Sequence, residues 1–194
     1  MFKKAAIATA IGAVSLATAS QALADDYIVD IEGQHAFIQF KINHLGYSYI
    51  LGTFEEFEGR FHYDADDLEA SSVEMEVQVN SLNSNHAERD RHFLSDDFLS
   101  AGTYPTATFV STGFEPTGDD EGVLTGDLTL KGETREIEMP VTLMGEGEDP
   151  WGNYRAGFEG STNLTLADFG IDMSDFPEVM HELELYVTFE GVRQ

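Results

Sequence analysis

The histidines are the residues of this sequence whose side chains could bind a metal ion or exchange protons near neutral pH. The chain has six. His35, His44, His62, His86 and His92 could each join a nearby Asp or Glu in a metal site. Their spacings match no standard metal-binding motif, so the sequence predicts no metal centre.

Familiar signatures of enzymes are absent as well. The sequence contains no Gly-x-Ser-x-Gly nucleophile turn, no His-Glu-x-x-His, no phosphate-binding loop and no dinucleotide fingerprint. It also contains no cysteine, which excludes thiol chemistry. Arg89 and Asp90 are adjacent in a predicted helical segment, where an ion pair within the helix is the simplest interpretation. The sequence therefore favours a protein that is not an enzyme.

The amino terminus has the pattern of a secretory signal peptide. Lys3 and Lys4 precede an apolar run, and Ala22-Leu23-Ala24 resembles a cleavage site. A membrane anchor is the competing interpretation, but the run is short and rich in Ala and Thr. We expect residues 1–24 to be removed and residues 25–194 to form one domain in the periplasm of a Gram-negative bacterium. No later segment is apolar enough for a membrane span, so an integral membrane protein is not expected.

The mature chain would be strongly acidic. Without Lys3 and Lys4, 8 of the 10 basic residues remain against 36 acidic ones, which gives a formal charge of −28. Such a surface repels nucleic acid and anionic membranes. Adaptation of a halophilic organism to salt explains it more simply than binding of cations or of a basic partner, because the acidic residues are scattered over turns and outer strand faces.

Residues 35–64 predict two long strands joined at His44-Leu45-Gly46. Alternate residues of the first strand, Ile38, Phe40, Ile42 and His44, share one face. His44 therefore stands at the end of an apolar face. Two interpretations remain open for it: a contact with a ligand, or a hydrogen-bonded histidine in the core.

The rest of the chain predicts further strands and a single helix. Residues 72–81 alternate so that Val73, Met75, Val77 and Val79 point inward. A helix is expected over residues 86–94, with Asn85 and Glu88 at the spacing of a capping box. In all, about eight strands are separated by turns, which favours a closed barrel whose interior could hold one small or elongated ligand.

Ordered motifs along most of the mature chain resemble those of the YceI family of exported, polyisoprenoid-binding proteins. The motifs are His35-x-x-Ile38-x-Phe40-x-Ile42-x-His44-Leu45-Gly46, Gly52-x-Phe54-x-x-Phe57-x-Gly59, Arg89-Asp90-x-His92-Phe93-x-Ser95-x-Asp97-Phe98, Gly126-Asp127-Leu128-Thr129-Leu130-x-Gly132-x-Thr134-Arg135, Arg155-x-Gly157-Phe158 and Asp168-Phe169-Gly170.

This resemblance implies an all-β fold, an eight-stranded antiparallel lipocalin-like β-barrel with a short helical insertion near its mouth. It also implies that an isoprenoid quinone or similar polyisoprenoid lipid is held inside, without any other cofactor, and it allows a homodimer. By the resemblance, the ligand-binding residues line the tunnel or lie near the polar head group. The tunnel residues are Phe40, Ile42, Val77, Leu128 and Phe158, and the head-group residues are His44, Arg89, Asp90 and His92.

One departure from the family pattern bears on the ligand. An Asn-Arg pair usually precedes x-Asp-Phe-Gly, and Thr165-Leu166 stands in its place here. The missing positive charge favours a neutral quinone, alcohol or amide head over a diphosphate. Two other functions remain open: an enzyme or redox partner acting on a bound quinone or small molecule, and a stress-related structural protein with a filled barrel.

Overall fold

The computed structural model describes residues 25–194, so the expected signal peptide lies outside the described residues. Within that range the chain forms a single antiparallel sheet and one α-helix. The elements are β1 (Asp25–Val29), β2 (Ala36–His44), β3 (Ser48–Phe54), β4 (Phe57–Tyr63), β5 (Ser72–Gln78), β6 (Leu82–Asn83), α1 (Ala87–Phe93), β7 (Thr106–Pro116), β8 (Glu121–Leu130), β9 (Glu133–Glu148), β10 (Tyr154–Thr165) and β11 (Glu182–Arg193).

The strands form eight walls, because three walls consist of two strands each. Both β1 and β2 pair with the same side of β11, β2 with Leu183–Phe189 and β1 with Gly191–Arg193. In the next wall β3 pairs with β2 and β4 with β1, and in the third wall β6 pairs with β3 and β5 with β4. The pairing of β1 with β11 closes the ring. The predicted eight-stranded antiparallel barrel is confirmed.

Local sequence explains the interruptions between paired segments. Between β1 and β2, Asp30 accepts a hydrogen bond from the Gly33 amide at 2.9 Å, and Gln34 has a positive φ of 57°. At the tip between β2 and β3, Leu45 and Gly46 have φ values of 56° and 80°, and Asn43 Oδ1 accepts the Gly46 amide at 2.6 Å. Short polar turns of this kind change the direction of the chain and leave the number of barrel walls at eight.

The predicted alternation is confirmed in β2. In β2 the side chains of Ala36, Ile38, Phe40 and Ile42 are buried, and Phe37 between them is 45 % exposed. Closed barrels direct alternate side chains inward in this way. The inward faces of the eight walls supply the core of the domain.

The helix begins one residue later than predicted, and its capping residue differs. Asn85 has a left-handed φ of 64°, which is incompatible with the extended backbone of an N-cap. His86 takes that position instead, and its Nδ1 accepts the Arg89 amide at 3.3 Å. The predicted capping box of Asn85 and Glu88 is therefore wrong.

Each end of the barrel is closed by a different cluster. At one end Phe40, Ile42, Leu82 and Leu166 pack with side chains from the α1 region and from the segment before β11, among them Phe93, Phe98, Ile171 and Met173. At the other end the rings of Tyr27 and Phe61 stack at 4.7 Å, and Phe158 meets Phe61 edge-on at 5.5 Å. Among residues 25–194, no helix is both long and apolar enough to cross a membrane.

Candidate ligand-binding site

The interior of the barrel contains an apolar cavity of about 180 Å³. Thr108 is the one polar residue in its lining, and every other lining residue is Ala, Val, Leu, Ile, Met or Phe. Apolar surface of this kind gives a ligand affinity through burial and supplies no acid, base or nucleophile. The cavity can enclose a hydrocarbon.

A second cavity of about 90 Å³ lies toward the aromatic end, bordered by Phe61, Tyr63 and Phe158. The two cavities share five lining residues, Val73, Leu124, Met139, Val187 and Phe189. Both spaces therefore contact the same side chains, and one of these, Met139, is unbranched and flexible.

The residues predicted to line the tunnel lie in this interior. Phe40, Ile42, Val77 and Leu128 line the larger cavity, and Phe158 lines the smaller one. The family resemblance indicated all five, and strand alternation agreed with it for Phe40, Ile42, Val77 and Leu128.

The residues predicted for the head group are placed differently. His44 is exposed at the tip beside Leu45, opposite Ser48, and is not in the lining of either cavity. Its exposure excludes the alternative of a core histidine. His92 is also exposed, and its ring meets Phe98 edge-on at 4.8 Å. Neither histidine lines either cavity.

Arg89 and Asp90 hold the loop that precedes the helix. Asp90 accepts a hydrogen bond from the Ser84 amide at 2.9 Å and another from the Ser84 hydroxyl. Arg89 donates to the Ser84 hydroxyl at 2.8 Å and to the Ser84 carbonyl. Both side chains therefore form hydrogen bonds with Ser84. They fix the loop before α1, and neither lines the cavity.

Several lining residues were not among the predicted tunnel residues. Leu82, Phe93, Leu166 and Ile171 come from segments outside the long strands, and Leu164 lies near the end of β10. Leu166 is the most informative: it is 6 % exposed and lines the cavity at the position where the family pattern usually has arginine. The Asp168-Phe169-Gly170 motif that follows was the available signal, because it fixes the alignment of residue 166.

One group of potential metal ligands lies at the aromatic end, formed by Asp30, His35 and Glu190. Arg155 occupies its centre, with Nη1 2.6 Å from Asp30 Oδ2 and 2.7 Å from Glu190 Oε1, while Nε lies 2.7 Å from Asp149. The hydrogen bond from Arg155 is the main cause of the lowered pKa of Asp30. A cation would have to displace a guanidinium from these carboxylates, so this is an ion-pair network that joins β1, β10 and β11.

A closed antiparallel barrel around an apolar cavity defines a lipocalin-like protein. A family model described as the YceI-like domain matches residues 29–191, and the chain belongs to this family. The chain is 51 % identical over its full length to a UPF0312 protein of Azotobacter vinelandii, which it covers completely.

Two solved structures have the same fold. BcnA of Burkholderia cenocepacia matches with a TM-score of 0.74 and 22 % identity, over 84 % of this chain and 98 % of BcnA. A polyisoprenoid binding domain from Saccharophagus degradans, implicated in plant cell wall breakdown, matches with a TM-score of 0.66 and 13 % identity. This match covers 87 % of the chain and 98 % of that domain.

Proposed function

We propose that the protein binds a long isoprenoid-type lipid with a neutral head group in its barrel and carries it in the periplasm. The cavity is the observation that supports this most directly, because its lining is apolar except for Thr108. Each buried CH₂ group of a hydrocarbon chain contributes about 0.8 kcal/mol of transfer free energy. The Saccharophagus degradans domain, described as polyisoprenoid-binding, has the same fold and supports the same class of ligand.

The size of the cavity constrains how such a ligand is held. At about 180 Å³ the larger cavity is below the range of roughly 300–1,000 Å³ for typical ligand pockets. A chain of several isoprene units therefore needs the second cavity as well, which requires Val73, Leu124 and Met139 to move aside. These cavities also argue against the alternative of a barrel filled by its own side chains.

The lining argues against catalysis on the bound molecule. Reactions of quinones or other small molecules need positioned proton donors, proton acceptors or nucleophiles. The larger cavity offers only the hydroxyl of Thr108, and the polar side chains that border the smaller one are those of His62, Tyr63, Ser71, Ser72 and Glu159. His62 Nδ1 lies 3.0 Å from Asp26 Oδ1, and Glu159 accepts a hydrogen bond from Tyr186. Binding without turnover is the function that this arrangement supports best.

The leading test compares ligands that share a tail. The protein is purified without detergent, its lipids are identified by mass spectrometry, and farnesol binding to the delipidated protein is measured by calorimetry. We expect a recovered neutral prenyl lipid and saturable binding of one farnesol per chain. A recovered prenyl diphosphate would contradict the neutral head group.

Two variants test whether the ligand binds in the cavity or on the surface. Val77→Phe places a larger side chain in the cavity and should weaken farnesol binding at least tenfold. Val110→Phe, on the neighbouring strand β7 at an exposed position, is the matched control and should leave binding unchanged. Equal binding by both variants would show that farnesol does not bind in the interior of the barrel.

A further inference from the structure

A polar groove lies on the outer surface of the barrel, against the larger cavity. Its volume is about 430 Å³, and residues of β2, β3, β11 and the loop before α1 border it. Phe40 belongs to the lining of both the groove and the apolar cavity. Phe40, whose ring points inward, therefore belongs to the wall between the groove and the hydrocarbon interior.

The wall beside that ring is incomplete. Gly52 pairs directly with Phe40, and a Cβ at position 52 would lie 2.2 Å from Phe40 Cζ. The ring thus occupies the space that any other residue at position 52 would need. On its other side β3 pairs with β6 at Thr53 and Phe54 only, and Ser48–Gly52 have no second strand neighbour within residues 25–194. The ring can move without breaking a hydrogen-bonded ladder on that side.

The chemistry of the groove suits an uncharged polar group. Its charged residues, Lys41 and Glu184, form an ion pair with each other and leave no net charge. Gln39 is exposed and, among the described residues, has no hydrogen-bond partner for its side-chain amide. An amide supplies both donors and an acceptor, which fits an alcohol, amide or quinone oxygen. A diphosphate would find no free positive charge here.

We propose that this groove holds the polar head of the lipid and that the tail reaches the cavity through the gap beside Gly52, past the ring of Phe40. This inference rests on the proposed function and adds the position of the head group to it. The head group then lies at the side of the barrel, between β3 and the loop that precedes α1, and not at either end.

The absence of cysteine from the chain allows a direct test. Gln39→Cys places one thiol in the groove. Asp127→Cys is the matched control, exposed on β8, which lies opposite β2 in the ring of eight walls. The rate of alkylation by iodoacetamide is measured for each variant with and without saturating farnesol, and farnesol binding is measured separately by calorimetry.

We expect farnesol to slow alkylation at position 39 at least tenfold and to change the rate at position 127 less than twofold. If farnesol binds but leaves the rate at position 39 unchanged, the head lies elsewhere and the groove assignment is wrong, although the proposed function stands. If farnesol binds to neither the variants nor the unmodified protein, the proposed function fails together with this inference.

Discussion

Leu166→Arg is the substitution that tests most sharply why a neutral ligand is expected. Leu166 is 6 % exposed and lines a cavity whose other lining residues carry no charge. The substitution therefore places a guanidinium against an apolar space without a counter-ion. A buried charge without a partner costs several kcal/mol, and partial escape of the long side chain toward solvent reduces this. We expect the free energy of unfolding to fall by about 3 kcal/mol.

An anionic ligand should reverse this loss. A ligand that binds only the folded state, at 100 times its Kd, adds about 2.7 kcal/mol to stability. Farnesyl diphosphate at that concentration should therefore restore most of the stability of Leu166→Arg, because the buried guanidinium draws the phosphates from the groove to position 166, where they supply the missing counter-ion. The unmodified protein should gain stability from farnesol and little from farnesyl diphosphate.

Urea unfolding with no ligand, with farnesol and with farnesyl diphosphate measures all of these changes. Leu166→Met is the matched control, since a volume-conserving apolar change costs less than about 1.5 kcal/mol and should keep the preference for farnesol. Two results would refute the reasoning: equal stabilisation of the unmodified protein by both ligands, or a Leu166→Arg variant that does not respond to the diphosphate.

Three further predictions concern stability. Arg155→Met should lower the free energy of unfolding by about 2–3 kcal/mol, because it leaves carboxylates unpaired. Hydrogen bonds from Arg155 lower the pKa of Asp30 and Asp149, so these two carboxylates stabilise the fold above about pH 4 and lose this effect as pH falls through their folded-state pKa. Acid titration followed by circular dichroism should show a smaller effect of pH on the stability of the variant. Burial raises the pKa of Tyr27 to about 12, so its contribution to the free energy of unfolding is fully present below about pH 10 and is lost as pH rises from there to about 12. The loss of stability at alkaline pH should be less steep in Tyr27→Phe and unchanged in Tyr47→Phe, which alters an exposed ring. The melting temperature should rise between low and molar salt, since screening reduces the repulsion of a strongly acidic surface, and a salt-independent midpoint would contradict salt adaptation.

The sequence could predict which side of a strand faces the core, but not how deep along the barrel a residue lies. Ile38, Phe40, Ile42 and His44 have the same parity, and the first three are buried. His44 follows Ile42, the last buried position of β2, and is exposed at the tip of the strand. Alternation is a local property, whereas burial at the end of a strand depends on loops that come from elsewhere in the chain.

The sequence also could not predict which distant segments pair with each other. Glu32-Gly33 separates β1 from β2 in the sequence, so nothing local to the chain indicates that the two strands are continuous. Only the shared partner β11 shows that β1 and β2 form one wall. Leu166 was similarly hidden, since it begins a short 3-10 turn after β10, where the alternation of strands no longer applies.

The two ends of the barrel differ in a way that bears on how a ligand could reach the interior. A closed barrel bonds every strand to two neighbours, so a lipid cannot pass between walls that are fully paired. At the aromatic end, stacked rings and the Arg155 network join several walls. Near Phe40, the β3–β6 pairing is only two residues long, and Gly52 leaves the wall thin. Opening the barrel beside Gly52 therefore breaks fewer interactions than opening the aromatic end, which favours the side of the barrel as the route for the lipid.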